Sequence, residues 1–169
     1  MDKTEQDQWL SKDIPHRLRA CLAGLRLQEE RMLQIADEAK RLIIRDWFLR
    51  PAAFEGRMVA MRWLIEFIGV GGRNKDGTIS PPRRKPNDVS IKMIEGGKEI
   101  ELDSREAEIL AKVRQACTQA SGHATRNTNH PRVDESALDE ALRIIVRHLE
   151  CTVYLGRARD PLSEAFNPQ

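Results

Sequence analysis

The chain has 169 residues, of which 40% are hydrophobic and 32% are charged, and its net charge is +2. These values fit one domain with a hydrophobic core. The small net charge does not indicate a nucleic-acid-binding protein. Three widely spaced cysteines without a C-x-x-C pattern argue against a disulfide framework or a cysteine zinc site. Because each lies on or beside an apolar helical face, we predict buried thiols at Cys21, Cys117 and Cys151.

The amino terminus, MDKTEQDQWL, is polar and acidic, which is not the pattern of a signal peptide. No apolar run approaches the ~20 residues that a membrane span needs. We therefore expect a cytoplasmic protein without a membrane partner. Residues 1–12 are predicted to form a flexible arm, in which Trp9 either packs back on the domain or docks on a partner.

A long helix is predicted next, with Asp13 as its N-cap. Its apolar residues recur at spacings of three, four and seven as far as Leu49, and Pro51 ends it. At 1.5 Å per residue, such a helix is about 50 Å long and exceeds the width of a small domain. Either the helix breaks near Glu29, or its ends extend into a partner such as a second copy of the chain.

A second helix begins at Pro51, and the short link makes the first two helices an antiparallel hairpin. Glycines at positions 69, 71 and 72 end it. Its apolar stripe consists of Phe54, Met58, Met61, Ile65 and Ile68.

An insertion is predicted over residues 70–103. Its first part is rich in glycine and proline and contains Arg83, Arg84 and Lys85 in succession. This loop is either a solvated connector or a contact for anions or RNA. The second part alternates between apolar and polar residues on both sides of Gly96 and Gly97, which predicts a small β-hairpin. The alternating apolar residues are Val89, Ile91, Met93, Ile100 and Leu102.

The third helix is predicted to start after Asp103, which forms a capping-box pattern with Glu106, and to close at Gly122. Its inner side holds Ile109, Leu110, Val113, Cys117 and Ala120.

The fourth helix is predicted to start near Asp134 and to end at Gly156, followed by an irregular tail over residues 157–169. Its apolar stripe is Leu138, Leu142, Ile145, Leu149 and Val153. The predicted fold is therefore all-α: one domain over residues 13–156, built as a four-helix bundle with a long N-terminal helical hairpin and a small β-hairpin insertion.

The loop GHATRNTNHP, residues 122–131, contains two of the four histidines. A gap of seven residues between His123 and His130 fixes no metal geometry, and we predict neither a metal nor a cofactor. A structural role is favoured, in which the His123 side chain hydrogen-bonds back to a helix and Thr125 caps the end of a backbone segment. A catalytic or ligand-binding histidine is the alternative.

Arg62 and Glu66 lie one helical turn apart in an otherwise apolar stretch. They form either a surface ion pair or, if the third and fourth helices cover that side, a buried pair. A buried pair needs additional hydrogen-bonding partners, and His123 is one candidate.

The segment RIIVRH, from Arg143 to His148, has an arginine, four residues and a histidine. This spacing and the helical layout resemble HEPN domains, an all-α family with a ribonuclease motif. The resemblance implies that arginine and histidine from two protomers cleave RNA without metal, with His148 in proton transfer and Arg143 stabilising the phosphate. Five residues of helix turn by about 500°, so the two side chains point about 140° apart. That geometry favours the alternative, in which both residues are ordinary helix flanks.

The segments AFEGRMVAMRWLIEFIG, NDV and QASGHAT resemble motifs of uncharacterised bacterial HEPN-like helical proteins, over roughly residues 52–156. Glu66 stands where that family has aspartate. The resemblance implies a HEPN-like bundle without a settled activity. It groups a candidate ligand-binding or buried polar cluster of Arg62, Glu66, Asp88, His123 and Thr125.

Three functional hypotheses follow from the sequence. The first is a non-enzymatic interaction or assembly module, a homodimer that acts through the long first helix. The second is a metal-independent endoribonuclease of toxin or phage-defence type with RNA as its partner, using Arg143 and His148. The third is a small-ligand or nucleotide-binding domain that uses Arg62, Glu66, Asp88 and His123.

Overall fold

The structure, a computed structural model, describes residues 1–21, 50–74, 76, 78–122 and 135–157. Predictions for most of the long first helix, for His123, Thr125 and for the end of the tail lie outside the described residues. Within these ranges the chain is mainly α-helical, which confirms the predicted class. The main helices are α1 (Lys3–Gln8), α2 (Arg50–Phe67), α3 (Ser104–Gly122) and α4 (Glu135–Cys151).

The first residues, predicted to form a loose arm, are helical in the structure. Asp2 is the N-cap of α1: its carboxylate accepts the backbone N–H of Glu5, and the Glu5 carboxylate accepts the N–H of Asp2. A π-helical turn, Trp9–Asp13, follows α1, and residues 14–21 continue as α-helix. The predicted helix start at Asp13 is wrong because the capping box in DKTE already starts the helix.

The core lies between α2, α3 and α4, with residues 10–21 packed against it. The predicted stripe of α2 is buried from Met58 onward. Phe54, predicted as the first member of that stripe, is 40% exposed and lies outside it.

The helices α3 and α4 follow the sequence closely. The Asp103 carboxylate accepts the N–H of Glu106 at 2.8 Å, which is half of the predicted capping box. All five residues of the predicted stripe of the fourth helix are buried. The predicted end at Gly156 is wrong, because α4 ends at Cys151 and Val153 lies in the turn that follows. After α4 the chain turns, and the hydroxyl of buried Tyr154 donates to the Leu10 carbonyl at 2.8 Å. This bond ties the end of the described chain to its beginning.

The predicted β-hairpin of the insertion is wrong for residues 89–102. Ile91–Met93 form a 3₁₀-helix, and no strand occurs in the described range 78–122. Ile91 and Ile94 are buried, whereas Met93 is 43% exposed, so the apolar period is three, as a 3₁₀ turn requires. The N–H of Gly97 then donates to the Ile94 carbonyl at 2.9 Å and keeps the chain turning.

The cysteines divide into two groups. Cys21 and Cys117 are buried as predicted, and burial raises the pKa of each thiol to about 12, which leaves them unreactive at neutral pH. Cys151 is exposed at the end of α4, so the prediction of a buried thiol is wrong there. None of the helices in the described ranges has the length and hydrophobicity of a membrane span.

Candidate functional site

A cleft of about 320 Å³ lies between the π-helical turn, the end of α2 and residues 82–89. Its volume is at the lower end of the ~300–1,000 Å³ range of small-molecule sites. Aromatic side chains line one part, and the polar residues Glu66, Arg83, Arg84, Asn87 and Asp88 line the rest. The structure thus brings together residues of two predicted groups, the polar cluster and the basic loop.

The aromatic wall of the cleft consists of Trp9, Trp63 and Phe67. The Trp9 and Trp63 rings are within 6° of parallel with centroids 5.5 Å apart, and Trp63 and Phe67 have centroids 5.0 Å apart. The guanidinium of Arg17 lies 5.3 Å from the Trp63 ring centroid, a cation–π contact. Phe67 is buried, but Trp9 and Trp63 are only half-buried, so part of their surface is open to the cleft.

The predicted pair of Arg62 and Glu66 is formed and partly buried. Glu66 Oε1 accepts Arg62 Nε at 3.1 Å and Arg114 Nη2 at 2.8 Å. The sequence interpretation missed Arg114 as the further partner. The sequence feature that points to Arg114 is its position four residues after Leu110, at the edge of the buried stripe of α3. Glu66 is thus held by guanidinium groups from two helices.

The basic loop is folded by its own hydrogen bonds. The Asp88 carboxylate accepts the N–H of Lys85 at 2.6 Å, and the N–H of Asp88 donates to the Lys85 carbonyl at 3.0 Å. Arg84 Nη2 donates to the carbonyl of Glu66 at 3.2 Å, which anchors the loop to the end of α2. Arg83 is exposed and, among the described residues, has no ion-pair partner. Its guanidinium is free to bind an anion in the cleft.

Arg143 and His148 contact different parts of the molecule. Arg143 is exposed and lines a second groove, of about 390 Å³, between α3 and α4; Glu106, Glu140 and Arg147 also line it, and His148 does not. The Nε2 atom of half-buried His148 lies 2.7 Å from the Lys98 carbonyl. Since a carbonyl only accepts, Nε2 carries the proton in this contact. Burial lowers the pKa of His148 below its ordinary value of 6.5.

His148 is expected to make the protein less stable in mild acid. The folded state favours the neutral ring, so below pH 6.5 the unfolded chain binds the proton more readily. Stability is full above that pH and falls as the pH drops through the lowered pKa. Urea unfolding at about pH 7.5 and about pH 5 measures the loss. The variant His148→Gln keeps an amide donor for the Lys98 carbonyl, and we expect it to lose less stability between these two pH values than the wild type. An equal loss would contradict the assignment of this pH dependence to His148.

The predicted site residues therefore fall into three groups. Glu66, Asp88 and Arg83–Arg84 line one cleft, with Arg62 bound to Glu66, while Lys85 takes part through its backbone. Arg143 and His148 lie elsewhere, and His123 and Thr125 are outside the described residues. Among the described residues, no group of three or more His, Cys, Asp or Glu side chains is arranged to hold a metal ion. No protein-family model, curated protein or solved structure matches this chain, so the HEPN-like resemblance stays a prediction.

Proposed function

We propose that this chain is a non-enzymatic binding domain for a nucleotide, which is held in the cleft between Trp9 and the basic loop. One observation carries the proposal: half-buried tryptophan rings and arginine side chains line the same cleft. A nucleotide combines the two matching chemical groups, a planar base and a phosphate. Base–aromatic stacking and guanidinium–phosphate hydrogen bonds are the usual means of binding them.

The electrostatics of the cleft support an anionic ligand. Arg83 and Arg84 line it together with the carboxylates of Glu66 and Asp88. Arg62 and Arg114 both pair with Glu66. Arginine presents a planar fork of N–H donors that matches two phosphate oxygens at once. Arg84 also pairs with Glu99 at 3.8 Å. The four arginines still outnumber the carboxylates of Glu66, Asp88 and Glu99, and this small positive excess attracts a phosphate.

The polar groups of the cleft favour binding over catalysis. Glu66 accepts two guanidinium N–H groups, and Asp88 accepts a backbone N–H within its own loop. Both carboxylates are therefore already engaged by donors of the protein itself. Their role in this proposal is to hold the arginines and the loop in place.

Isothermal titration calorimetry with adenosine 5′-monophosphate tests the proposal. We expect saturable binding that Arg83→Gln weakens by about ten- to a hundredfold, because a hydrogen bond to a charged group contributes ~1.5–3 kcal/mol. Arg105→Gln is the matched control. Arg105 is also exposed, but it pairs with Glu140 beside the other groove, so its replacement is expected to leave binding unchanged.

Two results would contradict this function. One is an absence of binding to the folded wild-type protein at millimolar nucleotide. The other is equal weakening by Arg83→Gln and Arg105→Gln, which would mean that only the general charge of the surface attracts the ligand. Binding to single-stranded RNA but not to the mononucleotide would replace the nucleotide by RNA as the ligand.

We also propose, from the sequence alone, a HEPN-like bundle that forms a cytoplasmic homodimer through the long first helix. Light scattering tests the homodimer independently of the cleft. A monomer that still binds nucleotide would reject the homodimer and keep the binding function. The endoribonuclease hypothesis has less support, because Arg143 lines the groove between α3 and α4 whereas His148 contacts Lys98.

A further inference from the structure

We infer that Trp9 makes the cleft selective for ligands with a planar ring, and that the π-helical turn Trp9–Asp13 holds the indole there. This inference rests on the proposed nucleotide function and goes beyond it, because it assigns ring recognition to one side chain. It also assigns a role to the amino-terminal helix. The phosphate is recognised elsewhere, on residues 83–84.

Neighbouring residues of the turn face different parts of the molecule, the core and the cleft. Leu10 is fully buried, and its carbonyl accepts the hydroxyl of buried Tyr154 at 2.8 Å. The backbone next to Trp9 is therefore fixed from the core side. Trp9 itself is half-buried and lines the cleft, so its ring is the part of this segment that a ligand reaches.

The π-helical turn sets the direction of Trp9. The N–H of Ile14 bonds to the carbonyl of Trp9, five residues back rather than four. Leu10, Ile14 and Leu18 are spaced by four residues and are all buried, so they form one stripe that faces the core. If the extra residue of the turn were deleted from the chain, Trp9 would lie four residues before Ile14 and would take the place of Leu10 in this stripe, because one residue turns an α-helix by about 100°. Single π turns inside α-helices occur frequently at functional sites.

The rings already present a stacking surface. Trp9 is nearly parallel to both Trp63 and Phe67, with interplanar angles of 6° to each. A planar base adds to such a wall as one more parallel layer, in the offset geometry that aromatic rings prefer. The polar side chains Asn87 and Asp88 line the same cleft and provide hydrogen-bonding groups for the base or the sugar.

Two ligands separate ring binding from phosphate binding: adenosine 5′-monophosphate and ribose 5-phosphate, which lacks the base. We expect Trp9→Leu to weaken the nucleotide by about five- to a hundredfold, the range of base–aromatic stacking, and to leave ribose 5-phosphate unchanged. Trp9→Phe, which keeps a ring, is expected to retain most of the preference. Arg83→Gln is expected to weaken both ligands equally. Calorimetry measures all affinities, and thermal unfolding checks that each variant is folded.

Deletion of Ser11 tests the turn itself. It removes the extra residue, so we expect it to abolish the preference for the nucleotide while ribose 5-phosphate still binds. If the deletion variant does not fold, the Trp9→Leu and Trp9→Phe pair decides alone. Equal losses for both ligands in Trp9→Leu, or no loss, would overturn this inference and leave the proposed function standing. If the wild-type protein binds neither ligand, the proposed function itself fails.

Discussion

Replacing Gly97 by alanine is expected to destabilise the protein by about 3 kcal/mol, the upper end of what overpacking usually costs. A Cβ atom at this position would lie 2.8 Å from the carbonyl carbon of Ile91, even closer to its oxygen, and 2.9 Å from the carbonyl oxygen of Ile94. These are backbone atoms beside buried isoleucine side chains, so they cannot move aside without disturbing the core. Chemical denaturation measures the change in the free energy of unfolding.

Gly56→Ala is the matched control for this substitution. Gly56 lies inside α2, and among the described residues no atom beyond its chain neighbours and the surrounding helix backbone lies within 4 Å of the Cβ that alanine would add. Alanine is expected to stabilise this helix by about 0.5–1 kcal/mol, because glycine costs helix formation that much. Equal effects at positions 56 and 97 would contradict the packed turn that the structure has at residues 91–97.

Replacing Phe67 by alanine has the second large expected effect, a loss of about 3–5 kcal/mol of stability. Phe67 is 2% exposed and stacks on Trp63 at 5.0 Å. Its removal leaves a cavity behind the aromatic wall and takes away one of the rings that keep the tryptophans parallel. Chemical denaturation gives the loss of stability, and weaker nucleotide binding in the variants that remain folded reports the disturbed wall.

Phe54→Ala is the control for Phe67, since both phenylalanines belong to α2. Phe54 is 40% exposed, so truncation removes less buried apolar area, and we expect a loss of about 1 kcal/mol or less. A loss at Phe54 as large as that at Phe67 would show that the end of α2 is not where the core lies.

The sequence predicts only some of the polar contacts of the site. The spacing of Arg62 and Glu66 predicts an ion pair, and the structure contains it. The arginine that completes the cluster, Arg114, belongs to another helix, and its contact with Glu66 depends on how α2 and α3 pack. Composition predicts the basic loop, but it does not predict the contact of Arg84 with the end of α2.

The short insertion shows where periodicity is ambiguous. Val89, Ile91 and Met93 alternate as in a strand, whereas Ile91 and Ile94 have the spacing of a helical turn. A segment this short satisfies both patterns, so local sequence does not choose between them. Burial of Ile91 and Ile94 against the helices favours the 3₁₀ turn and leaves Met93 outside.

The sequence by itself determined the helical class, the extents of α2 and α3 and the buried stripe of α4. The reason is that an apolar stripe of period 3.6 can be buried on one side only as a helix. A capping carboxylate marks where such a helix begins, and glycine marks where it ends. Only the tertiary structure decided that Trp9, Trp63 and the arginines of the basic loop line one cleft. Such contacts depend on how distant segments of the chain pack together, and no local sequence pattern specifies which surfaces become neighbours in the folded protein.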